Sequence, residues 1–217
     1  MGEEIFMLKD FNQEYLGIPG GTEREGIRLC KCHYRDIPLN KKYFYKVIAA
    51  NCEGEPVISY SPEVEEQELD WLIRTIDFSR IGEQDVPLEL QLPGYEVSYM
   101  NRMLREKSLP EVEINQCAEY RYLPEYRKYV ATQDGELTGY AKVSDVVKGF
   151  GNLVVWVDEE RRGQGIGTSL VQHLMTKCYE KGIEPMYLVK TSNKASIAVA
   201  KKLGFTVAQQ ELVFTKK

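Results

Sequence analysis

The sequence of 217 residues lacks the features of several large protein classes. No apolar run approaches the roughly 20 residues that a membrane-spanning helix needs. The N-terminus holds one short apolar run, Ile5 to Leu8, and acidic residues precede it where a secretory signal would have basic ones. Lysine and arginine total 28 against 33 acidic residues, so no basic excess attracts nucleic acid or anionic membranes. These absences predict a cytoplasmic protein that binds neither nucleic acid nor membrane.

Cysteine and histidine are too few to form an evident metal or disulfide framework. The five cysteines are odd in number and contain no Cys-x-x-Cys pair, which is typical of a reducing compartment. Cys30, Cys32 and His33 resemble half of a metal site, but no second cluster follows to complete four ligands. Alternation of side chains along a strand explains this spacing better, and we expect no bound metal.

Composition and patterning predict an α/β protein. Hydrophobic residues make up 43% and charged residues 28% of the chain, which suits one large domain or two small ones. In the N-terminal half, aromatic and β-branched residues predict a hairpin from Tyr43 to Tyr60. Ser61-Pro62 predicts the start of a helix whose buried stripe runs from Leu69 to Ile76. A second helix is expected from Tyr95 to Lys107.

A boundary is expected near Ser108-Leu109-Pro110, which separates an N-terminal α/β lobe (1–110) from a C-terminal domain (111–217). The C-terminal domain is predicted to contain strands and helices. The expected elements are strands at 126–132, 137–147 and 153–157, a helix at 165–181, a strand at 186–190, a helix at 194–203 and a strand pair at 205–214.

The junction between the strand at 153–157 and the helix at 165–181 contains the residues that predict a ligand site. Glycines 163, 165 and 167 allow the backbone to pass close to a ligand. The first amides of a helix lack intrahelical partners, and together with the helix dipole they form an anion site. A pyrophosphate is the expected guest.

Other glycine loops fit less well. A Rossmann loop needs Gly-x-Gly-x-x-Gly, and residue 168 is Thr where its last glycine would stand. A Walker loop needs Gly-Lys-Ser/Thr, which is absent. A glycine-rich turn without a ligand would weaken the helix start without any compensating gain.

Arg162-x-x-Gly165-x-Gly167 resembles the Arg/Gln-x-x-Gly-x-Gly/Ala signature of the GNAT N-acetyltransferase superfamily. The apolar strand at 155–157 and the segment from Asn193 to Leu203-Gly204-Phe205 resemble the same family. This resemblance implies a GNAT acyl-CoA N-acyltransferase fold in the C-terminal half. The N-terminal lobe is expected to be either a degenerate copy of that fold, which binds no second coenzyme, or an unrelated cap on the substrate side.

The resemblance implies acetyl-CoA as co-substrate and assigns it a set of residues. Loop amides would hold the pyrophosphate, strand 155–157 would pair with pantetheine and stabilise the thioester oxygen, and Asn193, with Ser196, would fasten the pantetheine arm. The expected coenzyme-binding residues are Val155, Val157, Arg162, Gly163, Gln164, Gly165, Ile166, Gly167, Thr168, Asn193 and Ser196.

Catalytic groups are not identified by the sequence. Many family members have a tyrosine five residues before the Phe of Leu-Gly-Phe, and here that position is Ala200. Either another tyrosine protonates the thiolate or the thiolate leaves unassisted. Glu119, Tyr120 and Tyr122 precede the core strands, where substrate-side groups could lie, but we interpret each as a surface or packing residue and assign none a catalytic role. His173 is interpreted as a solvated surface residue.

The expected activity is transfer of an acetyl group to a primary amine of a small molecule or peptide, by direct attack in a ternary complex. The alternative is an inactive acyl-CoA-binding sensor or scaffold, for which Ala200 is the main indication. A monomer or homodimer is expected.

Overall fold

The structure, a computed structural model, describes residues 2–38, 44–105, 114 and 116–216, without the side chains of residues 2–7 and 145. The chain forms two compact units. The first comprises residues 1–101, 190–192 and 209–217, and the second comprises residues 102–189 and 193–208. The expected boundary after residue 110 lies outside the described residues.

The described residues form four α-helices and eleven strands. The helices are α1 (Gly2–Tyr15), α2 (Glu66–Thr75), α3 (Ile166–Glu180) and α4 (Lys194–Lys202). The strands are β1 (Thr22–Arg24), β2 (Ile27–Lys31), β3 (Phe44–Cys52), β4 (Glu55–Tyr60), β5 (Glu96–Arg105), β6 (Glu119–Leu123), β7 (Lys128–Gln133), β8 (Glu136–Val147), β9 (Phe150–Val157), β10 (Glu184–Lys190) and β11 (Phe205–Lys216).

In the first unit the strand order is β1-β2-β4-β3-β11-β5. The predicted hairpin is confirmed as β3 and β4, which pair antiparallel, while β2 and β4 pair parallel. One face of this sheet is covered by α2. Leu69, Leu72 and Ile73 of that helix are buried with Ile58 and Phe214, so the predicted apolar stripe does face a core.

The predicted start of α2 at Ser61-Pro62 is wrong. The helix begins at Glu66, where the backbone and side chains of Glu65 and Glu68 form a capping box. Ser61 instead accepts a hydrogen bond from the Glu63 amide at 3.1 Å and donates one to Asp36. The Ser61 side chain, which the sequence predicted as a helix cap, therefore takes part in a tertiary hydrogen bond instead.

The predicted helix from Tyr95 to Lys107 is also wrong, since residues 96–105 form strand β5. Seven consecutive residues from Tyr99 to Arg105 are buried. A strand that is covered on both faces shows no alternation of apolar and polar residues, so its period does not distinguish it from a buried helix.

In the second unit the strand order is β10-β9-β8-β7-β6. β6, β7, β8 and β9 pair antiparallel in sequence order, and β9 pairs parallel with β10. Asp134 and Gly135 adopt φ of 52° and 82°, the left-handed pair that the predicted tight turn requires. The predicted α/β class with a mixed sheet is confirmed.

Helices α3 and α4 cover one face of the second sheet. Leu170 and Leu174 of α3 are fully buried, as predicted, and Ala200 and Leu203 of α4 join the same core. Two expectations were incomplete. β6 was not predicted, and the expected strand pair at 205–214 is one continuous strand, β11, which pairs antiparallel with β3.

Candidate functional site

The loop after β9 is shaped by local hydrogen bonds. The Asp158 carboxylate accepts from the Glu160 amide at 3.0 Å and begins a short 3-10 turn that ends at Arg161. The Arg162 Nε donates to the Val157 carbonyl at 3.3 Å, and its guanidinium lies 3.2 Å from Glu159. Both charged side chains are mostly exposed, so this pair contributes little to stability. Arg162 is therefore available to a ligand at the loop surface.

Two glycines take backbone conformations that other residues avoid. Gly163 has φ of 81°, with no atom within 4 Å of the position where a Cβ would stand, and Gly165 has φ of 82°. Gly165 is the N-cap of α3 and supplies no side-chain acceptor to the first helical amides. Those amides point out of the helix at its positive end. The space beside Gly163 and the uncapped helix start suit an anion.

The first turn of α3 lies close to neighbouring elements. A Cβ at Gly167 would stand 3.3 Å from Val157 Cγ2 and 3.9 Å from Val199 Cγ2. The side chains of Ile166 and Thr168 are only 1% and 7% exposed. Because these side chains point into the protein, Ile166 and Thr168 can offer a ligand only their backbone amides.

Strands β9 and β10 separate beyond their first three residue pairs. The pairs run from Glu184↔Phe150 to Met186↔Asn152. β9 then continues through residues 153–157 and β10 through 187–189, with no pair between these two stretches of the described chain. The other edge of β9 stays paired with β8 up to Gly139↔Val157. One edge of β9 is thus open to an extended ligand, beside the start of α3.

Asn193 and Ser196 lie at the start of α4. The Asn193 side chain accepts from the Ser196 amide at 3.1 Å and so caps the helix. Asn193 is exposed and Ser196 is half-buried. Their environment is compatible with ligand contact, and Asn193 has a structural role in addition.

A profile of the family described as "Acetyltransferase (GNAT) family" matches residues 90–205, which is more than half of the chain. The chain belongs to the GNAT family. The match includes β9, the glycine loop, α3, β10 and α4, so it spans every residue that the sequence assigned to the coenzyme.

Two curated relatives of this GNAT chain are acetyltransferases by name. The [ribosomal protein bS18]-alanine N-acetyltransferase of Escherichia coli K12 is 31% identical over 84 residues, which cover 38% of this chain and 57% of the relative. The L-methionine sulfoximine/L-methionine sulfone acetyltransferase of Pseudomonas aeruginosa PAO1 is 34% identical over 82 residues, which cover 35% and 48%. The chain thus spans about half the length of the curated relatives it matches.

A solved structure resembles this chain over nearly its whole length. The GNAT-family protein from Novosphingobium aromaticivorans superposes with a TM-score of 0.51 at 14% identity, covering 97% of this chain and 98% of that one. At this identity the likeness shows the fold alone. The GNAT fold that the glycine signature implied is confirmed, whereas the idea of a degenerate N-terminal copy stays a prediction.

The substrate-side groups considered from the sequence lie far from the open edge of β9. Glu119, Tyr120 and Tyr122 are on β6, and β7 and β8 separate that strand from β9. With neighbouring strands about 4.8 Å apart, this amounts to roughly 14 Å. Tyr122 stacks on Tyr129 with ring centroids 5.0 Å apart and accepts a hydrogen bond from Lys181. These contacts make Tyr122 a packing residue.

His173 is not the solvated surface residue that the sequence suggested. Its ring lies between Tyr120 and Tyr129, with centroids 4.9 Å and 5.1 Å away. Burial lowers the pKa of His173 below its ordinary value. The interpretation failed because β6, which supplies Tyr120, was not recognised as a strand over this side of α3.

Cys117 is a residue that the sequence did not single out. Its Sγ lies 3.5 Å from the Gln164 carbonyl, and its own carbonyl accepts from Gln133 Nε2 at 2.5 Å. The thiol therefore supports the glycine loop from the β7 side. No local pattern could have revealed this contact, because Cys117 and Gln164 are 47 residues apart.

The described residues contain neither a metal-binding cluster nor a membrane-spanning helix. Among the described residues, no group of three or more His, Cys, Asp or Glu side chains is placed to hold a metal ion. In the same part of the chain, no helix is both long and apolar enough to cross a membrane.

Proposed function

We propose that this protein is an acetyl-CoA-dependent N-acetyltransferase that acetylates a primary amine of a small molecule or peptide. One observation carries the proposal: the glycine loop opens α3 directly beside a strand whose edge is unpaired from residue 153 onward. A phosphate-binding helix start and an open strand edge together match the two halves of coenzyme A, its pyrophosphate and its amide-rich pantetheine arm.

The pyrophosphate end would be held mainly by backbone. Amides from Gly163 to Thr168 would donate to the phosphates, and the exposed Arg162 guanidinium would add a positive charge. Gln164 is exposed on the same loop. Because Gly163 and Gly165 carry no Cβ, the ligand can approach the backbone closely.

The pantetheine end would pair with the open edge of β9, at Val155 and Val157, and contact Asn193 and Ser196 at the start of α4. Acetyl-CoA supplies an acetyl group that is already activated as a thioester. A backbone amide near Val157 would donate to the thioester oxygen and stabilise the negative charge that develops there. Alignment of amine and thioester in a ternary complex would supply much of the rate.

The leaving thiolate would not be protonated from position 200 of α4, where many family members have a tyrosine. Ala200 is fully buried and has no proton to give. A thiol has an ordinary pKa near 8.5, so the thiolate is a tolerable leaving group at neutral pH. The amine acceptor must lose its own proton before attack, to a base or to water.

The named relatives do not point to a single acceptor. The two relatives are named for different acceptors, a ribosomal protein and L-methionine derivatives. We therefore propose a primary amine of a small molecule or peptide as the acceptor.

Coenzyme binding is tested at Gly165. Gly165→Glu places a carboxylate at the anion site and should weaken acetyl-CoA binding at least 100-fold in isothermal titration calorimetry. Gly149→Glu is the matched control: Gly149 has the same φ of 82° but lies in the turn before β9, at the strand's other end. Equal affinity in both variants would refute the coenzyme site.

A second function is favoured by Ala200, namely a coenzyme-A-binding sensor without catalysis. Thiol release from acetyl-CoA in the presence of a panel of amines separates the two. Release that depends on the amine supports the enzyme. Tight acetyl-CoA binding without any release supports the sensor.

A further inference from the structure

The first unit contains a cavity of about 250 Å³ that has no part in the coenzyme assignment. Three of its lining residues are Glu96, Ser98 and Met100, which alternate along β5 and so share one face of the sheet. Val213 and Thr215 share a face of β11 in the same way. The lining thus comes from regular strands, which hold a site more firmly than loops do.

Opposite charges meet at this cavity. Lys190 donates to the Glu96 carboxylate, and the side chains of both residues are about half exposed, at 47% and 51%. The two residues are 94 positions apart in the sequence, so only the fold brings them together. An exposed ion pair contributes little to stability, so a ligand can exchange it for its own contacts at small cost.

The remaining lining is apolar with hydroxyl groups at the sides. Met100 is 6% exposed and Val213 is fully buried, so together they offer an apolar surface. Tyr45, Ser98 and Thr215 bring hydroxyls that either donate or accept hydrogen bonds. A small molecule with an apolar side chain and charged ends matches this lining.

We propose that this cavity binds a free α-amino acid with a small or medium-sized apolar side chain. The ammonium group pairs with Glu96, the carboxylate pairs with Lys190, and the side chain lies against Met100 and Val213. Both new contacts are charge-assisted hydrogen bonds, which are stronger than neutral ones. The biological meaning rests on the proposed function, because an α-amino acid carries the primary amine that an N-acetyltransferase acetylates.

The test is calorimetric titration of the full chain, without coenzyme, with L-alanine, L-valine, L-leucine and L-methionine. At least one should bind, and its N-acetyl derivative and its methyl ester, which lack the ammonium and the carboxylate respectively, should bind at least tenfold more weakly. Glu96→Gln and Lys190→Gln should each weaken binding at least tenfold. The matched controls are Glu180→Gln and Lys177→Gln, which alter an exposed ion pair on α3 and should bind as the wild type does.

The inference is overturned if none of the four amino acids binds at concentrations up to about 10 mM. It is equally overturned if Glu96→Gln and Lys190→Gln bind as tightly as the wild type, or if the ester and the N-acetyl derivative bind as well as the free amino acid. Because no coenzyme is present, a negative result leaves the Gly165 experiment unaffected. A failure of the Gly165 experiment likewise leaves this titration unaffected.

Discussion

The Asn193 side chain accepts a hydrogen bond from the backbone amide of Ser196 at 3.1 Å. This contact makes Asn193 the N-cap of α4, whose first residue is Lys194. The sequence resemblance assigned Asn193 to the pantetheine arm, which its side-chain NH₂ can still contact, because only the carboxamide oxygen is used for the cap. The observed cap and the proposed pantetheine contact would therefore use different atoms of one side chain.

Substitutions at Asn193 should separate these roles. Asn193→Ala should lower the free energy of unfolding by about 1 kcal/mol, because the cap is lost, and should also weaken acetyl-CoA binding. Asn193→Ser keeps a capping oxygen and should restore the stability measured by urea unfolding, without restoring the affinity. Recovery of affinity in Asn193→Ser would show that the residue acts on the coenzyme only through the helix cap.

Gly151 on β9 should not tolerate a side chain. A Cβ there would stand 2.6 Å from Val143 Cγ1 and 2.8 Å from Ile183 Cγ2. Gly151→Ala should therefore lower the free energy of unfolding by about 1–3 kcal/mol through overpacking. Gly20→Ala serves as the control, because its Cβ would meet nothing within 4 Å and its φ is not positive. Equal stability of the two variants would contradict the packing described around β9.

His173 should make stability depend on pH. Burial lowers the pKa of His173 below 6.5, so the folded protein favours the neutral ring. Just below pH 6.5 the unfolded chain binds more protons than the folded protein does. The contribution of His173 to the free energy of unfolding is therefore complete above that pH and is lost as the pH falls below it. In urea unfolding at about pH 7.5 and pH 5.5, His173→Gln should lose less stability than the wild type. An unchanged pH dependence in His173→Gln would exclude this origin.

Lys46 should contribute more to stability than an ordinary surface lysine. Its side chain is 7% exposed and lies 2.8 Å from Asp36 and 2.6 Å from Glu63. Lys46→Met should cost about 1–3 kcal/mol at neutral pH, because the partner carboxylates lose a hydrogen-bonded cation. Lys9→Met removes a half-exposed partner of Glu53 and should cost under about 1 kcal/mol. A comparable loss in both variants would contradict a special role for Lys46.

The same network should weaken in acid. Burial alone would raise the pKa of Asp36, but hydrogen bonds from Lys46 and Ser61 outweigh it and hold that pKa below 3.8. The associated stability is present above pH 3.8 and is lost as the pH falls through the lowered pKa. The stability difference between wild type and Lys46→Met should therefore shrink in urea unfolding as the pH falls below about 4. A stability difference that stays constant with pH would mean that Lys46 does not lower the pKa of Asp36.

Helix prediction succeeded where local signals were complete and failed where a tertiary partner intervened. α4 ends before Gly204, as its sequence indicated, and α3 begins at the residue after Gly165. The predicted cap at Ser61 failed because Ser61 bonds to Asp36, which is 25 residues away. β5 was predicted as a helix because burial on both faces removed its alternation.

The sequence by itself determined the glycine loop, helices α3 and α4, and the family to which the chain belongs. These features depend on residues within a few positions of each other, where backbone freedom and helix caps act locally. Only the tertiary structure decided the separation of β9 from β10, the burial of His173 and the pairing of Glu96 with Lys190. Each of these depends on strands that are distant in sequence, and strand pairing is set by which faces the whole fold buries.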